Sequence, residues 1–337
     1  MRTLVKHFSW AMVILLYISC QDKRNSIPVD KFMWEAGISA PKYYPVGDCS
    51  VDLQYSGNGS LTNFDNGWGS GYGTVVSGDR YKNLPSSATI RYYSAVENLK
   101  FEGTVLLPYN KIFILFKKYC LDKENDIGHI IVGMAPGGWI RVWAQFISSD
   151  DIILVEIAKA QLKGEVANPG NDFEYKEGEY WYKFKTYWGH FGIPYEVWAE
   201  NEKEYDIYFD FNSPNPEFDV FDVLYSSLDG TVYYNSINNE VMSKRKLPAD
   251  MVMAWRKKND TLRYDTHILL PRDLYKKINA QNPKKVRFSL KVEANNYGSL
   301  YIEVDNNGKE RILRFKNSPA TARYTGDSGI SKEVTYY

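Results

Sequence analysis

Histidine and cysteine are scarce in this chain, four and three among 337 residues, and neither sign of charge is in excess, with 41 Lys and Arg against 41 Asp and Glu. A net charge of zero excludes the broad positive field of a typical nucleic-acid-binding protein. The 24 Gly and 14 Pro are too few for a collagenous or low-complexity chain. No apolar run reaches the eighteen or so residues that a membrane-spanning helix needs. What is abundant is aromatic: 27 Tyr, 16 Phe and 9 Trp within a 44% hydrophobic composition, more than a disordered chain carries, so a packed core is expected. The length suits two modest domains or one large one.

The amino terminus has the pattern of an export signal. Arg2 and Lys6 precede an apolar stretch, Phe8 to Ile18, too short to cross a bilayer, and Ile18-Ser19-Cys20 follows. A small residue before a cysteine at the end of such a stretch resembles a bacterial lipobox, in which the cysteine is acylated and becomes the first mature residue; Tyr17 stands where an aliphatic residue is usual. The expected organisation is a signal peptide over residues 1–19, lipidation at Cys20 and a polar tether over 20–31, with an uncleaved anchor or a plain secreted chain as the alternatives, and either reading places the folded part outside the cytoplasm. Without Arg2 and Lys6 the mature chain carries 41 − 2 = 39 basic against 41 acidic residues, close to neutral. Cys49 and Cys120 then remain in a compartment that permits disulfides, and they are either bridged or two unpaired buried thiols.

The strongest internal pattern is a repeat. Ala88 to Tyr109 and Met251 to Arg272 align without a gap at an offset of 163: Tyr92 falls on Trp255, Lys100 on Arg263, Phe101 on Tyr264, Glu102 on Asp265, and Leu106-Leu107-Pro108 on Leu269-Leu270-Pro271. Each copy has two strands joined by a polar turn, then proline where it suits the first turn of a helix. The helices are expected over Tyr109 to Tyr119 and Arg272 to Ala280. Strands follow at Ile127 to Met134, Trp139 to Ile147 and Ile152 to Ile157, and again at Val286 to Glu293, Ser299 to Val304 and Arg311 to Phe315, with Gly138 and Gly298 in equivalent turns. A further strand region precedes each copy, Trp34 to Val51 and Tyr195 to Phe211. The fold class is α+β: two tandem similar units, residues 32–165 and 166–337, each mostly antiparallel strands with one short helix. Such units are expected to pack about a pseudo-twofold axis, with a cleft or a shared sheet between them.

Phe32 to Pro45 (FMWEAGISAPKYYP), Gly67-Trp68-Gly69, Phe101 to Pro108 (FEGTVLLP) and Ile131 to Ile140 (IVGMAPGGWI) together resemble an uncharacterised family of Gram-negative lipoproteins, domain-of-unknown-function family 2931. The resemblance implies an envelope lipoprotein and carries no catalytic motif. It also suggests a partner-binding role of the immunity, toxin-neutralising type.

The candidate chemistry is thin. Gly67 to Gly73 (GWGSGYG) is followed by Thr74-Val75-Val76, a strand pattern, so it lacks the helix a dinucleotide loop requires. It reads instead as a hairpin tip, or as a loop whose backbone approaches another surface and presents Trp68 and Tyr72. No Gly-x-Ser-x-Gly occurs. His129, His190 and His267 are scattered without metal-ligand spacing, and Asp150-Asp151 does not form an acid/base pair on one face. Asp305-Asn306-Asn307-Gly308 is a turn without the closing glutamate of a calcium loop. No catalytic residue, metal or cofactor is assigned. Charge is segregated in the second unit: Asp172 to Asp222 carries 13 acidic and four basic residues, Lys244 to Lys291 14 basic and four acidic. Either paired strands neutralise the two, or a basic surface around Arg256-Lys257-Lys258 faces an acidic partner or anionic lipid. The candidate binding surface is Trp68, Tyr72, Trp139, Arg256, Lys257 and Lys258. Trp139 and Trp143, four apart, share one strand face. The primary reading is a non-enzymatic protein-binding lipoprotein. The alternatives are a glycan-binding lipoprotein with an aromatic platform and, less favoured, a hydrolase.

Overall fold

A computed structural model describes residues 29–61, 64–71, 79–122, 125–147, 152–167, 179–235, 242–319 and 329–337. The chain runs β1 (Trp34–Ser39), β2 (Val46–Leu53), β3 (Gly57–Leu61), β4 (Ser87–Ser94), β5 (Leu99–Leu106), α1 (Tyr109–Tyr119), β6 (Gly128–Met134), β7 (Trp139–Ile147), β8 (Ile152–Gln161) and β9 (Gly164–Val166). Two helices follow, α2 (Glu179–Phe191) and α3 (Tyr195–Glu200). The second unit is β10 (Glu204–Asp210), β11 (Phe218–Ser227), β12 (Val232–Asn235), β13 (Met242–Lys246), β14 (Pro248–Lys257), β15 (Arg263–Leu269), α4 (Leu274–Gln281), β16 (Lys285–Val292), β17 (Tyr297–Val304), β18 (Glu310–Lys316), β19 (Ser318–Pro319) and β20 (Val334–Tyr336).

The strand orders show the repeat. The first unit has sheets β1-β6-β7-β8 and β3-β2-β4-β5-β9; the second has β10-β16-β17-β18 and β12-β11-β14-β15-β19 in the same relation, with β13 and β20 added at the edges of the former. In both units one pair is parallel, β1 with β6 and β10 with β16, and the rest are antiparallel. Both also carry a register shift at the same place, between Val142 and Trp143 on β7 and between Leu300 and Tyr301 on β17. Bulges re-aim side chains locally, and one at the same step in both units is a property of the fold.

Alternation drives each core. Along β4, Ala88, Ile90 and Tyr92 point inward and are buried; along β14, Met251, Met253 and Trp255 do the same. The aligned aromatic pairs are cross-strand neighbours, Tyr92 stacked on Phe101 at 5.0 Å and Trp255 on Tyr264 at 4.4 Å between ring centroids. The aligned charges pair likewise, Lys100 with Glu102 at 3.0 Å and Arg263 with Asp265 at 2.9 Å. Pro108 precedes α1, which buries Ile112 and Phe116, and α4 buries Leu274 and Ile278.

Two expectations about local structure are corrected. Tyr195–Glu200 is helix, because Pro194 starts a turn that buries Val197 and Trp198. Gly298 lies within β17, and the residue equivalent to Gly138 is Asn296: the two turns superpose through Ala135 N–H to Trp139 O (2.9 Å) and Glu293 N–H to Tyr297 O (2.7 Å). Gly137 and Gly138 (both φ 76°) therefore correspond to Asn295 (φ 59°) and Asn296 (φ 62°), the two residue types that best tolerate the left-handed region.

The expected twofold packing is also absent. A third apolar cluster joins the units, and it takes Ile131 and Trp143 from the outer face of β6 and β7 but Ala249 and Leu269 from β14 and β15. The counterparts of Leu269 and Trp143 are Leu106, 81% exposed, and Tyr301, half-buried on the outer face of β17. Surfaces that meet without being equivalent exclude a twofold axis through the contact, and the four sheets remain separate. Between them lies α2, whose Trp181, Phe184, Tyr187, Trp188 and Phe191 recur at helical spacing and face this cluster.

Candidate functional site

An exposed combination of apolar and cationic groups lies at the β14–β15 end of the second unit. A register shift in β11 between Val220 and Asp222 turns Phe221 outward, leaving it 38% exposed. The Arg256 guanidinium lies 5.6 Å from the Phe221 ring centroid and that of Arg263 5.7 Å, so cations approach the ring from two strands. Arg263 is held by two hydrogen bonds donated to buried Asp265, at 2.9 and 3.1 Å. Arg256, Lys257 and Lys258 are exposed, and Leu262 lies beside them at 43% exposure. Strand pairing does bring the acidic and basic stretches together: Asp219 lies opposite Arg256, Asp206 opposite Lys285, and Lys258 forms a 3.8 Å ion pair with Asp219. Asp219 and Asp265 pair with Lys258 and Arg263, Glu217, Asp222 and Asp260 lie in the same segments, and an exposed ring bordered by two guanidinium groups remains.

The other sequence candidates do not gather there. Trp68 is 4% exposed, which corrects its assignment to a binding surface; its ring meets Trp143 edge to face at 5.1 Å in the cluster between the units. Backbone requirements hold it there: its N–H donates to Gly230 O at 2.8 Å, and Gly69 N–H to Ser39 Oγ at 2.8 Å. Gly230, at φ 81°, has no room for a Cβ, which would lie 2.5 Å from Lys42 N. The glycine-rich loop therefore grips the β11–β12 hairpin of the second unit. Tyr72 and Cys20 lie outside the described residues, as do Asp150 and Asp151. Trp139 is half-buried beneath the Lys159 ammonium, 5.1 Å from its ring, and faces the same way as Trp143. Cys49 and Cys120 are free, buried thiols, the second of the two alternatives, and no disulfide joins them. Cys49 Sγ–H points at Met134 Sδ, 3.5 Å away, and burial pushes each thiol up to about 12.

The polar groups that composition did not reveal sit between the units. Tyr43, at φ 67°, donates to Asp250 Oδ2 at 2.7 Å, and His267 Nε2 lies 3.0 Å from the same oxygen and 3.1 Å from the Tyr43 hydroxyl. Ser226 donates to Asp250 Oδ1 through both N–H (3.1 Å) and hydroxyl. The residues are those of a hydrolytic triad, but the aspartate is the hub, Ser226 bonds to it directly, and all four side chains are below 7% exposure. A nucleophile needs its hydroxyl on the imidazole and open to substrate, so this cluster fastens Tyr43 of the first unit to the second. Burial, then the Asp250 charge, raises the Tyr43 pKa well above its usual value.

Nearby, Asp229 accepts from Ser227 Oγ (2.7 Å), Thr231 N–H (3.0 Å) and Lys246 Nζ (2.5 Å), while its own N–H donates to Glu202 Oε2 at 2.9 Å. Glu202 Oε1 is buried without a hydrogen-bond partner. Burial, reinforced by the Asp229 charge, lifts the Glu202 pKa well above the carboxylate range, and for Lys246 burial, the largest single effect, is outweighed by the combined attraction of Asp229, Tyr233 and Glu202, so its pKa is raised. Among the described residues no group of His, Cys, Asp and Glu has metal-binding geometry. A cavity of about 110 Å³ lies between α4 and β17–β18, lined by Leu274, Ile278, Ile302, Ile312 and Tyr337. It is smaller than the roughly 300 Å³ at which small-molecule pockets begin.

These features are a two-unit α+β body with an exposed cation-aromatic surface. The family model for a protein of unknown function, DUF2931, matches residues 19–196, and the chain belongs to that family. The match spans the strands of the first unit and the helix α2, ending within α3. No curated protein and no solved structure matches the chain.

Proposed function

We propose that this is a lipid-anchored protein of the Gram-negative envelope that acts by binding another protein and catalyses no reaction. The observation that carries the reading is Phe221, an exposed ring flanked by Arg256 and Arg263 with Lys257, Lys258 and Leu262 beside it. Arginine and aromatic side chains are the residues most enriched among binding hot spots. Guanidinium groups border the ring, so the partner presents an acceptor-bearing face with an apolar recess for the ring, and neutralising a toxin is one form of such binding. A glycan platform is less well supported, because Trp68, Trp143 and Trp181 are all below 9% exposure. The amino-terminal signal and Cys20 support the anchor.

The test is chemical crosslinking of the native protein in intact cells, followed by purification and identification of what is attached. One stoichiometric protein is expected. Phe221→Ala and Arg256→Glu, both on exposed side chains, should each weaken its capture by about 2 kcal/mol, roughly thirty-fold. Recovery of the protein alone, while known envelope complexes are captured, would refute the reading.

A further inference from the structure

The repeat contains its own control for surface composition. In the first unit, Met33, Ile127, Ile147 and Ile152 form one row across β1, β6, β7 and β8, just where these strands begin or end: Trp34 pairs with Gly128, Gly128 with Phe146, and Ile147 with Ile152. Ile127, Ile147 and Ile152 are 38%, 64% and 60% exposed, and Leu154, in the next row on the outer face, 43%. Continued beyond their last paired residues, the registers put Asp206 and Lys285 of β10 and β16 at the corresponding positions in the second unit, followed by Asp305, Asn307 and Lys309 in the turn that joins β17 to β18, every one polar or charged. The fold itself therefore does not require an apolar row there, and the first unit keeps one in contact with solvent.

The amino terminus enters at this row. Met33 O accepts the Gly128 N–H at 3.2 Å, and Phe32 packs on Phe113 and Phe116 of α1. Val29, 72% exposed, is the first described residue, and the nine steps back to Cys20 reach at most about 32 Å. A lipid on Cys20 would keep this end of the molecule within that reach of the bilayer.

Resting on that anchor, we propose that the row Met33, Ile127, Ile147 and Ile152, with Leu154, lies against the lipid surface to which the amino terminus is attached. Charged groups of both signs border it: Lys31, Asp126 and Asp151 lie within two residues of it in the chain, and the next row on the same face holds Glu35, His129 and Gln145 beside Leu154. The contact is therefore apolar, suited to zwitterionic headgroups, and insensitive to salt. It orients the molecule, directing the surface around Phe221 to whatever approaches from elsewhere.

The test uses the full lipidated chain with a single added cysteine, Ile147→Cys, Ile152→Cys, Asp305→Cys or Asn307→Cys. Each is labelled with a polarity-sensitive fluorophore and the protein reconstituted into vesicles of phosphatidylethanolamine and phosphatidylcholine. Cys49 and Cys120 stay unlabelled in the folded protein because they are buried. Emission should move to shorter wavelength at positions 147 and 152 on reconstitution, in low and high salt alike, and stay unchanged at 305 and 307. If the protein floats with the vesicles but 147 and 152 do not shift, or 305 and 307 shift equally, the membrane contact is refuted and the anchor stands. If the chain made with its own amino terminus does not fractionate with membranes, the anchor fails and the contact with it.

Discussion

Arg263 and Lys100 occupy the same place in the repeat and each pairs with the carboxylate two residues on, yet burial gives the pairs different weight. Asp265 is inaccessible at its side chain, whereas Lys100 and Glu102 are 42% and 60% exposed. Arg263→Ala leaves a buried carboxylate without its cation and should cost about 2–4 kcal/mol; Lys100→Ala should cost roughly 0–0.5 kcal/mol. Denaturant melts of the two variants check this, and equal costs would show that Asp265 is relieved by solvent. Glu202 yields a pH dependence. Its pKa is raised in the folded state above the usual 4.5, so the native protein holds a proton that the unfolded chain releases. That contribution to stability is complete below about pH 4.5 and is lost as pH rises through the folded value. Glu202→Gln cannot titrate, so its melting temperature relative to the wild type should climb from acid to alkaline pH. A constant difference would mean that the carboxyl is ionised in the fold.

At the scale of elements, the turns before β7 and β17 make the same bend with different residues. Gly138 has no space for a side chain, since a Cβ would lie 2.1 Å from Leu162 O, whereas Asn296 already carries one at φ 62°. Gly138→Asn should therefore destabilise by about 2–4 kcal/mol, and Asn296→Gly should stay within about 0.5 kcal/mol, because relieved strain offsets the added freedom of the unfolded chain. Urea unfolding of both variants measures it. The alignment of residues 88–109 with 251–272 made the β4–β5–α1 and β14–β15–α4 segments legible, because buried aromatics and their cross-strand partners are local in sequence. The parallel β1–β6 and β10–β16 pairs were not legible, since each joins segments some ninety or eighty residues apart, whose own alternation is the same in either direction. The helix α2 was not read from the sequence, although Trp181, Phe184, Trp188 and Phe191 recur at helical spacing, because an aromatic set of this kind suits a sugar platform equally until its burial is known. For the same reason Arg256 to Lys258 could be read as a surface charge run, whereas Phe221, thirty-five positions before Arg256, joins them only through the β11–β14 pairing.

In the whole molecule the units are alike in connectivity and unlike in surface. Non-equivalent faces meet at the junction, fastened by Tyr43 on Asp250 and by Gly230 against Lys42 and Trp68. That asymmetry frees two other places to diverge: the apolar row by the amino terminus in the first unit, and the cation-aromatic end of β11, β14 and β15 in the second. The proposed roles divide along the same line, the first unit toward the lipid and the second toward a protein partner. One photocrosslinking measurement in intact cells tests this division most directly, with a photoreactive residue placed in turn at Ile147, at its counterpart Asp305, and at Phe221. The expected result is lipid adducts at 147, a single protein adduct at 221 and neither at 305. A protein adduct at 147 matching that at 221, or no adduct at 221 while 147 and 305 behave alike, would contradict it.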